Sequence, residues 1–337
     1  MAGTIIFTGA NGSVAIPAVE HLLTHSPNFT LVLTVRDDGD GDTNTKELRR
    51  VIAKHNAYER ASVRKLDLAS LKAVHEFTDA IAAEVSQGSL PRLASVVCNA
   101  YYWNLLGPLE LTGDGYEKSM QVCHLAHVAL VLQLLNSFGS DGGRIVLFAS
   151  DAHEPGKNNL EVIPPSIPTD PEKLEFLARP APDDASVADN ASHGFCRYAT
   201  AKLAVVTWGH ALNRRLEKDP KLSRITATII NPGNLADSRA LRVNTPQKMV
   251  VLSKFVLQPL RPVLRLMDPT LRKSAEAGVD VARLATNIAH PGERGYFTLL
   301  NRDESSAESR DEARQDVLWT RSAQWAGVRS QDSPLPL

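Results

Sequence analysis

The chain has 337 residues, 43% apolar and 22% charged, with 37 basic and 38 acidic side chains and a formal net charge of −1. That balance is ordinary for a globular protein and excludes the basic footprint of a nucleic-acid binder. Cys98, Cys123 and Cys196 are far apart and lack metal-ligand spacing, which argues for a reducing compartment and against a metal site. Met1-Ala2-Gly3 leads straight into an apolar strand without a secretory pattern, and no apolar run reads as long enough to span a bilayer. A cytoplasmic protein is the expectation.

Thr4-Ile5-Ile6-Phe7-Thr8 reads as a buried strand, being β-branched and aromatic throughout. It runs into Gly9-Ala10-Asn11-Gly12-Ser13 and a helical pattern from Val14 to Leu23. Strand, Gly-rich turn and helix point backbone N–H groups and a helix N-terminus at a phosphate. Leu31 to Val35 is a second strand, ending at Arg36, and a polar loop from Asp37 to Thr45 leads into a helix to about Asn56. Ser62 to Leu66 is a third strand, ending in Asp67-Leu68. Ser70 to Ser86 has helical period, and Leu93 to Cys98 is a fourth strand ending in Asn99-Ala100. A long helix from Tyr116 to Phe138 precedes a fifth strand, Arg144 to Ala149, which ends at Ser150. Such alternation predicts an α/β fold, a Rossmann-type doubly wound parallel sheet with helices on both faces. Gly9, Arg36, Asp67, Asn99 and Ser150 all fall at strand C-termini, where such sheets bind ligands.

Residues 151–194 are Pro-, Asp- and Asn-rich and read as a surface insertion. Tyr198 then heads a helix through Leu216, followed by strand Ile225 to Ile230 and the turn Asn231-Pro232-Gly233-Asn234. Residues 235–272 include a Pro-broken apolar segment, expected to be a lid over substrate. Shallow attachment to a membrane surface is the alternative use of its basic residues. A helix from about Ala275 to Ala289, a strand from Gly295 to Leu300 and a helical extension over 303–330 complete one elaborated domain spanning 1–337.

Tyr198 and Lys202 are four apart on a helix and share a face. A cation beside a phenol favours phenolate, so Lys202 is expected to lower the Tyr198 pKa and make it a proton donor or acceptor near neutral pH.

Thr8-Gly9-Ala10-Asn11-Gly12, Arg36, Asp67-Leu68, Asn99-Ala100, Ser150, Tyr198-xxx-Lys202 and Asn231-Pro232-Gly233 together resemble the short-chain dehydrogenase/reductase superfamily over nearly the whole length. The resemblance extends to retinol-dehydrogenase-like and 3-keto-sterol-reductase-like members and to reductases of fungal natural-product pathways. It implies a catalytic set of Ser150, Tyr198 and Lys202, with Tyr198 exchanging the proton and Ser150 holding the substrate oxygen. It implies a cofactor cradle of Gly9, Asn11, Gly12, Ser13, Val14, Asp67, Leu68, Asn99, Ala100, Pro232 and Gly233, with Tyr198 and Lys202 at its nicotinamide end. NAD(H) enzymes place an acid after the second strand; here Val35 fills that position and Arg36 follows, which suits the 2′-phosphate of NADP(H). The implied activity is interconversion of a ketone and a secondary alcohol on a bulky lipophilic substrate, in fungal secondary metabolism. Non-redox isomerisation, epimerisation or cyclisation on the same fold, and non-catalytic dinucleotide sensing, are the alternatives. A homodimer through the helices Tyr116–Phe138 and Tyr198–Leu216 is also implied.

Three features, at four positions, depart from the family pattern. Ser13 and Ala15 stand where the phosphate loop has glycines, Tyr101 where Gly follows Asn-Ala, and Cys123 where an Asn positions a water behind the lysine. Tyr101, Tyr102 and Trp103 read as an aromatic wall for the substrate, or as packing at a strand end. His124 and His127 read as structural.

Overall fold

The structure, a computed structural model, describes residues 2–337. The first part of the chain alternates strictly: β1 (Gly3–Phe7), α1 (Ala15–His25), β2 (Phe29–Val35), α2 (Thr43–Lys54), β3 (Ala61–Lys65), α3 (Leu71–Ser86) and β4 (Leu93–Cys98). A long helix follows as α4 (Lys118–Met120), a π-helical segment Gln121–Leu125 and α5 (Ala126–Leu134), ahead of β5 (Gly143–Phe148). Next come α6 (Pro171–Ala178), α7 (Asn190–Lys218), β6 (Ile225–Asn231) and β7 (Asn234–Leu235). The chain continues through α8 (Gln247–Leu252), α9 (Gln258–Leu264), β8 (Leu271–Arg272) and α10 (Ser274–Ala285). It closes with β9 (Gly295–Thr298), β10 (Asn301–Arg302), α11 (Ala307–Arg310) and α12 (Glu312–Trp325).

Eight strands form one sheet in the order β10-β9-β6-β5-β4-β1-β2-β3. Only β10 runs antiparallel to its neighbour. The order reverses between β1 and β4, which opens a crevice beyond their C-terminal ends. β1, β4, β5 and β6 are buried along their whole length, so their sequences are near-continuous apolar runs instead of alternating ones. One face of the sheet packs α1, α2 and α10 through Val19, Leu22, Leu48, Ile52 and Val281. The other packs α3, α5, α7 and α12 through Val74, Ile81, Leu130, Leu212 and Leu318. Each such side chain contributes roughly 1.5–3 kcal/mol relative to exposure.

Several boundaries move from their expected places. α7 begins at Asn190, because the Asp189 carboxylate caps it by accepting from the Ser192 amide; Tyr198 therefore lies inside the helix and does not head it. One run does reach bilayer-spanning length: Lys118–Ser137 has 20 residues with mean hydropathy 1.2, yet 89% of its window is buried within the protein. It is apolar because it packs under the sheet. The helical extension breaks at Asp311, which caps α12.

α12 lies across α7, where the Trp319 and Trp208 rings stack at 5.6 Å and 11° and Arg215 stands 4.3 Å over Trp319. The expected lid is clasped at its base, where β7 and β8 pair Asn234 with Leu271 and Leu235 with Arg272. Its outward face bears Phe255, 65% exposed, and Leu266 and Met267, each 85% exposed.

His124 and His127 are buried on α4–α5, and burial lowers their imidazoles to about 3 and about 4. Both are neutral in the fold, while an unfolded histidine titrates near ~6.5. Below that pH the unfolded chain binds protons that the folded chain refuses, so stability is full above ~6.5 and is lost as pH falls towards 4. Calorimetry is expected to show the unfolding temperature falling as pH drops from about 7 to about 5.

Candidate active site

Gly9 makes the turn after β1 at φ +62°, and a Cβ there would stand 3.0 Å from the Ala100 Cβ and 3.1 Å from its Cα. Its lack of a side chain lets the β1 turn close on the end of β4. Asn99 stitches the two together, its Nδ2 donating to the carbonyls of Thr8 (2.9 Å) and Gly9 (3.1 Å). The Thr8 hydroxyl accepts from the Asn99 and Ala100 amides at 3.0 and 3.1 Å. His127 Nδ1–H donates to the Cys123 carbonyl (3.0 Å), which leaves Nε2 to accept from the Thr8 hydroxyl, also at 3.0 Å. The histidine is thus a strut beneath the turn.

α1 opens at Val14 with no side-chain cap. The Ser13 and Val14 amides donate to no acceptor among the described residues. Gly12 closes the turn by donating to the Gly9 carbonyl at 2.9 Å. Asn11 does not offer its side chain to the crevice, because its Nδ2 donates to Asp42 and Thr45 at 2.9 and 3.0 Å. The Ser13 hydroxyl accepts from the Arg239 amide at 3.2 Å, and its own proton stays available.

Arg36 is exposed at the end of β2 and has no partner among the described residues. The neighbouring acids are engaged elsewhere: Asp37 accepts from the Gly39 amide, and Asp40 pairs with Arg49 at 2.6 Å. Asp67 accepts from the Ala69 amide at 2.9 Å, beside the buried Leu68. On the far side, Gly233 turns at φ +85°, and the Pro232 carbonyl accepts from Arg272 at 2.7 Å.

Ser150, Tyr198 and Lys202 come together beyond β5. Lys202 is buried; its ammonium donates to the Phe148 carbonyl at 2.8 Å and lies 5.6 Å from the Tyr198 ring centroid. Burial lowers its pKa, opposed by Cys123. The Ser150 hydroxyl donates to Asp151 at 2.9 Å and is close enough to Tyr198 to stabilise its ionised form. The direction of the Tyr198 shift corrects the sequence-based expectation. Burial pushes the phenol well above its ordinary value, reinforced by Cys123 and Tyr101, and Lys202 is not among the groups that move it. Removing the anion from water costs more than the amine returns, because the amine is turned to a backbone carbonyl.

Tyr101, Tyr102 and Trp103 separate, as successive side chains of an extended segment do. Trp103 and Tyr101 stand edge-on to Tyr198, with ring centroids 4.9 and 6.4 Å away. Phe195 and Met249, from α7 and the lid, complete this cluster. Tyr102 leaves the pocket: its hydroxyl donates to Glu110 at 2.7 Å, and Lys118 lies 4.5 Å over its ring. Burial raises the Tyr101 phenol, and Lys202 stands 5.8 Å over its ring.

Cys123 lies in the π-helical segment, and its sulfur accepts from the Tyr102 amide at 3.4 Å. Behind it a cavity of about 10 Å³ is lined by Cys98, His124, His127 and Trp208. The Trp208 indole N–H has no partner. That volume is about one water's worth.

The sequence carried Thr8 in the turn motif and His127 as a structural residue, but it gave no sign of Asp151 or Arg239. No motif marks these two, and their roles come from contacts made across the fold. The cradle suits a dinucleotide on three observations: the turn that excludes a Cβ at Gly9, the unengaged amides at α1 and the unpaired Arg36.

Residues 239–335 match the family described as the AcuH dehydrogenase domain. The chain is 29% identical to the short-chain dehydrogenase iccH of Talaromyces variabilis, covering 99% of this chain and 98% of that protein. Over 93 residues it is 50% identical to the dehydrogenase acuH of Aspergillus aculeatus, 28% of this chain and 95% of that one. The chain belongs to the short-chain dehydrogenase/reductase superfamily. Among solved structures its fold matches the landomycin C-6 ketoreductase LanV with bound NADP and rabelomycin, with a TM-score of 0.53 and 18% identity over 87% of this chain and 94% of that one. It is an oxidoreductase of that type. Ser150, Tyr198 and Lys202 all precede the matched AcuH segment, which holds α8 to α12.

With its pKa raised, the Tyr198 phenol keeps its proton throughout the neutral range. In an alkaline titration, the tyrosinate absorbance that wild type has in excess of Tyr198→Phe is expected only above the ordinary tyrosine pKa of ~10. Ionisation of that residue near neutral pH in the free protein would contradict this.

Proposed function

We propose that this oxidoreductase interconverts a ketone and a secondary alcohol on a bulky lipophilic substrate, using NADP(H). The observation that carries the reading is the convergence of Ser150, Tyr198 and Lys202 beyond β5, against the apolar cluster of Trp103, Phe195 and Met249. The bound cofactor supplies or accepts the hydride. Tyr198 gives its proton to the carbonyl oxygen and recovers it in the reverse direction. The Ser150 hydroxyl turns its proton from Asp151 to that oxygen as charge develops there. Lys202, anchored on the Phe148 carbonyl, presents a fixed ammonium behind the phenol. Trp103 and Met249 exclude water from one side and favour an apolar substrate.

Arg36 supports NADP(H) over NAD(H), because a free guanidinium at the end of β2 meets a 2′-phosphate bidentately. The bound NADP in LanV, and relatives from Talaromyces and Aspergillus, agree with a ketoreductase of fungal secondary metabolism. A second, non-redox reading is favoured by Tyr101, whose ring stands beside Tyr198 and Lys202 where the family has glycine. Conversion of substrate without consumption of NADPH would select it.

Two variants test the leading reading, with NADPH oxidation followed over a panel of polycyclic ketones. Tyr198→Phe is expected to lower kcat by about 10²-fold or more while leaving the NADPH dissociation constant within about twofold; substantial residual turnover would remove Tyr198 from the proton step. Arg36→Ala is expected to weaken NADPH by about 10- to 100-fold and leave NADH unchanged. Equal effects on the two would remove the 2′-phosphate assignment.

A further inference from the structure

Arg239 follows the Pro-Gly turn, in a loop between the β6 end and the lid, yet it reaches back to the turn after β1. Its backbone amide donates to the Ser13 hydroxyl at 3.2 Å, and its guanidinium donates to the Asn11 carbonyl. No carboxylate pairs with it among the described residues. Asp42, the acid whose charge it feels, is already engaged by Asn11, by the Thr45 hydroxyl and by the Thr45 and Asn44 amides. A half-buried guanidinium without a counter-ion is unfavourable on its own. This one stands over the uncapped start of α1, where the Ser13 and Val14 amides are also free.

Resting on the reading of a dinucleotide-dependent oxidoreductase, we propose that Arg239 is a pyrophosphate ligand, the cation that completes this chain's altered phosphate loop. Ser13 replaces a glycine where the cofactor backbone would approach most closely, and its hydroxyl anchors the loop that delivers the guanidinium. The anion then meets three kinds of donor: the α1 amides, the Ser13 hydroxyl proton and the Arg239 fork. The Arg239 guanidinium lies at the turn after β1 and Arg36 at the end of β2, so the two cations serve different phosphates.

The test is equilibrium titration of NADPH and NADH, with thermal unfolding measured with and without each, on wild type, Arg239→Gln, Arg239→Lys and Arg36→Ala. Arg239→Gln is expected to weaken both dinucleotides by the same factor, about 10- to 100-fold. It should leave the unliganded unfolding temperature unchanged or higher, and shrink the ligand-induced rise. Arg239→Lys retains the charge without the fork and should fall between wild type and Arg239→Gln. Unchanged binding of both dinucleotides in Arg239→Gln would make the residue a structural strap and overturn the proposal. So would a loss confined to NADPH, which would move Arg239 to the 2′-phosphate. Wild type that bound neither dinucleotide would sink the functional reading itself, whereas the other two failures leave it standing.

Discussion

The site depends on the closeness of β1 and β4 at their C-terminal ends. Gly9 has no Cβ to hold the strands apart, and the Asn99 side chain ties the Thr8 and Gly9 carbonyls to β4. The Thr8 hydroxyl, held by His127 from below, satisfies the first amides beyond β4. A buried donor left unsatisfied here would cost about 1–3 kcal/mol, so the group of contacts holds a single geometry. With that edge rigid, the crevice at the switch point has a fixed floor, and Arg36, Ser13, Ser150 and Tyr198 surround it at set positions.

Electrostatics in the crevice differ at its two ends. Around Tyr198, Lys202 is buried and turned to the Phe148 carbonyl, while burial raises the Tyr198 phenol. Desolvation governs both groups and holds the proton on the phenol. At the β1–α1 turn the pattern reverses: exposed or half-buried guanidiniums lack carboxylate partners, and free amides gather at the start of α1. The chain is near neutral overall, so this positive end is a local arrangement that net charge could not disclose.

The C-terminal third encloses this frame. The clasp of β7 with β8 closes the base of the 235–272 segment, whose Met249 joins the cluster around Tyr198. α12 packs Trp319 on Trp208, next to the small cavity behind Cys123. The segment matched by the AcuH dehydrogenase domain, 239–335, therefore supplies Met249 to that cluster and the outer support of α7, while Ser150, Tyr198 and Lys202 lie before it.

The sequence by itself determined the alternating strands and helices, the sheet class and the strand-end residues, because periodicity and turn chemistry are local and the buried parallel strands are near-continuously apolar. It also carried the Tyr198–Lys202 spacing, since helix geometry alone brings residues four apart together. Only the tertiary structure decided what those groups do to each other. The sign of the Tyr198 shift depends on burial and on the Phe148 carbonyl, neither of which is written in the spacing. Tyr102 left the aromatic wall because it met Glu110 and Lys118. Arg239 reached Asn11 and Ser13 across most of the chain's length. Such contacts join residues remote in sequence, and desolvation depends on everything packed around a group, so no local pattern encodes them.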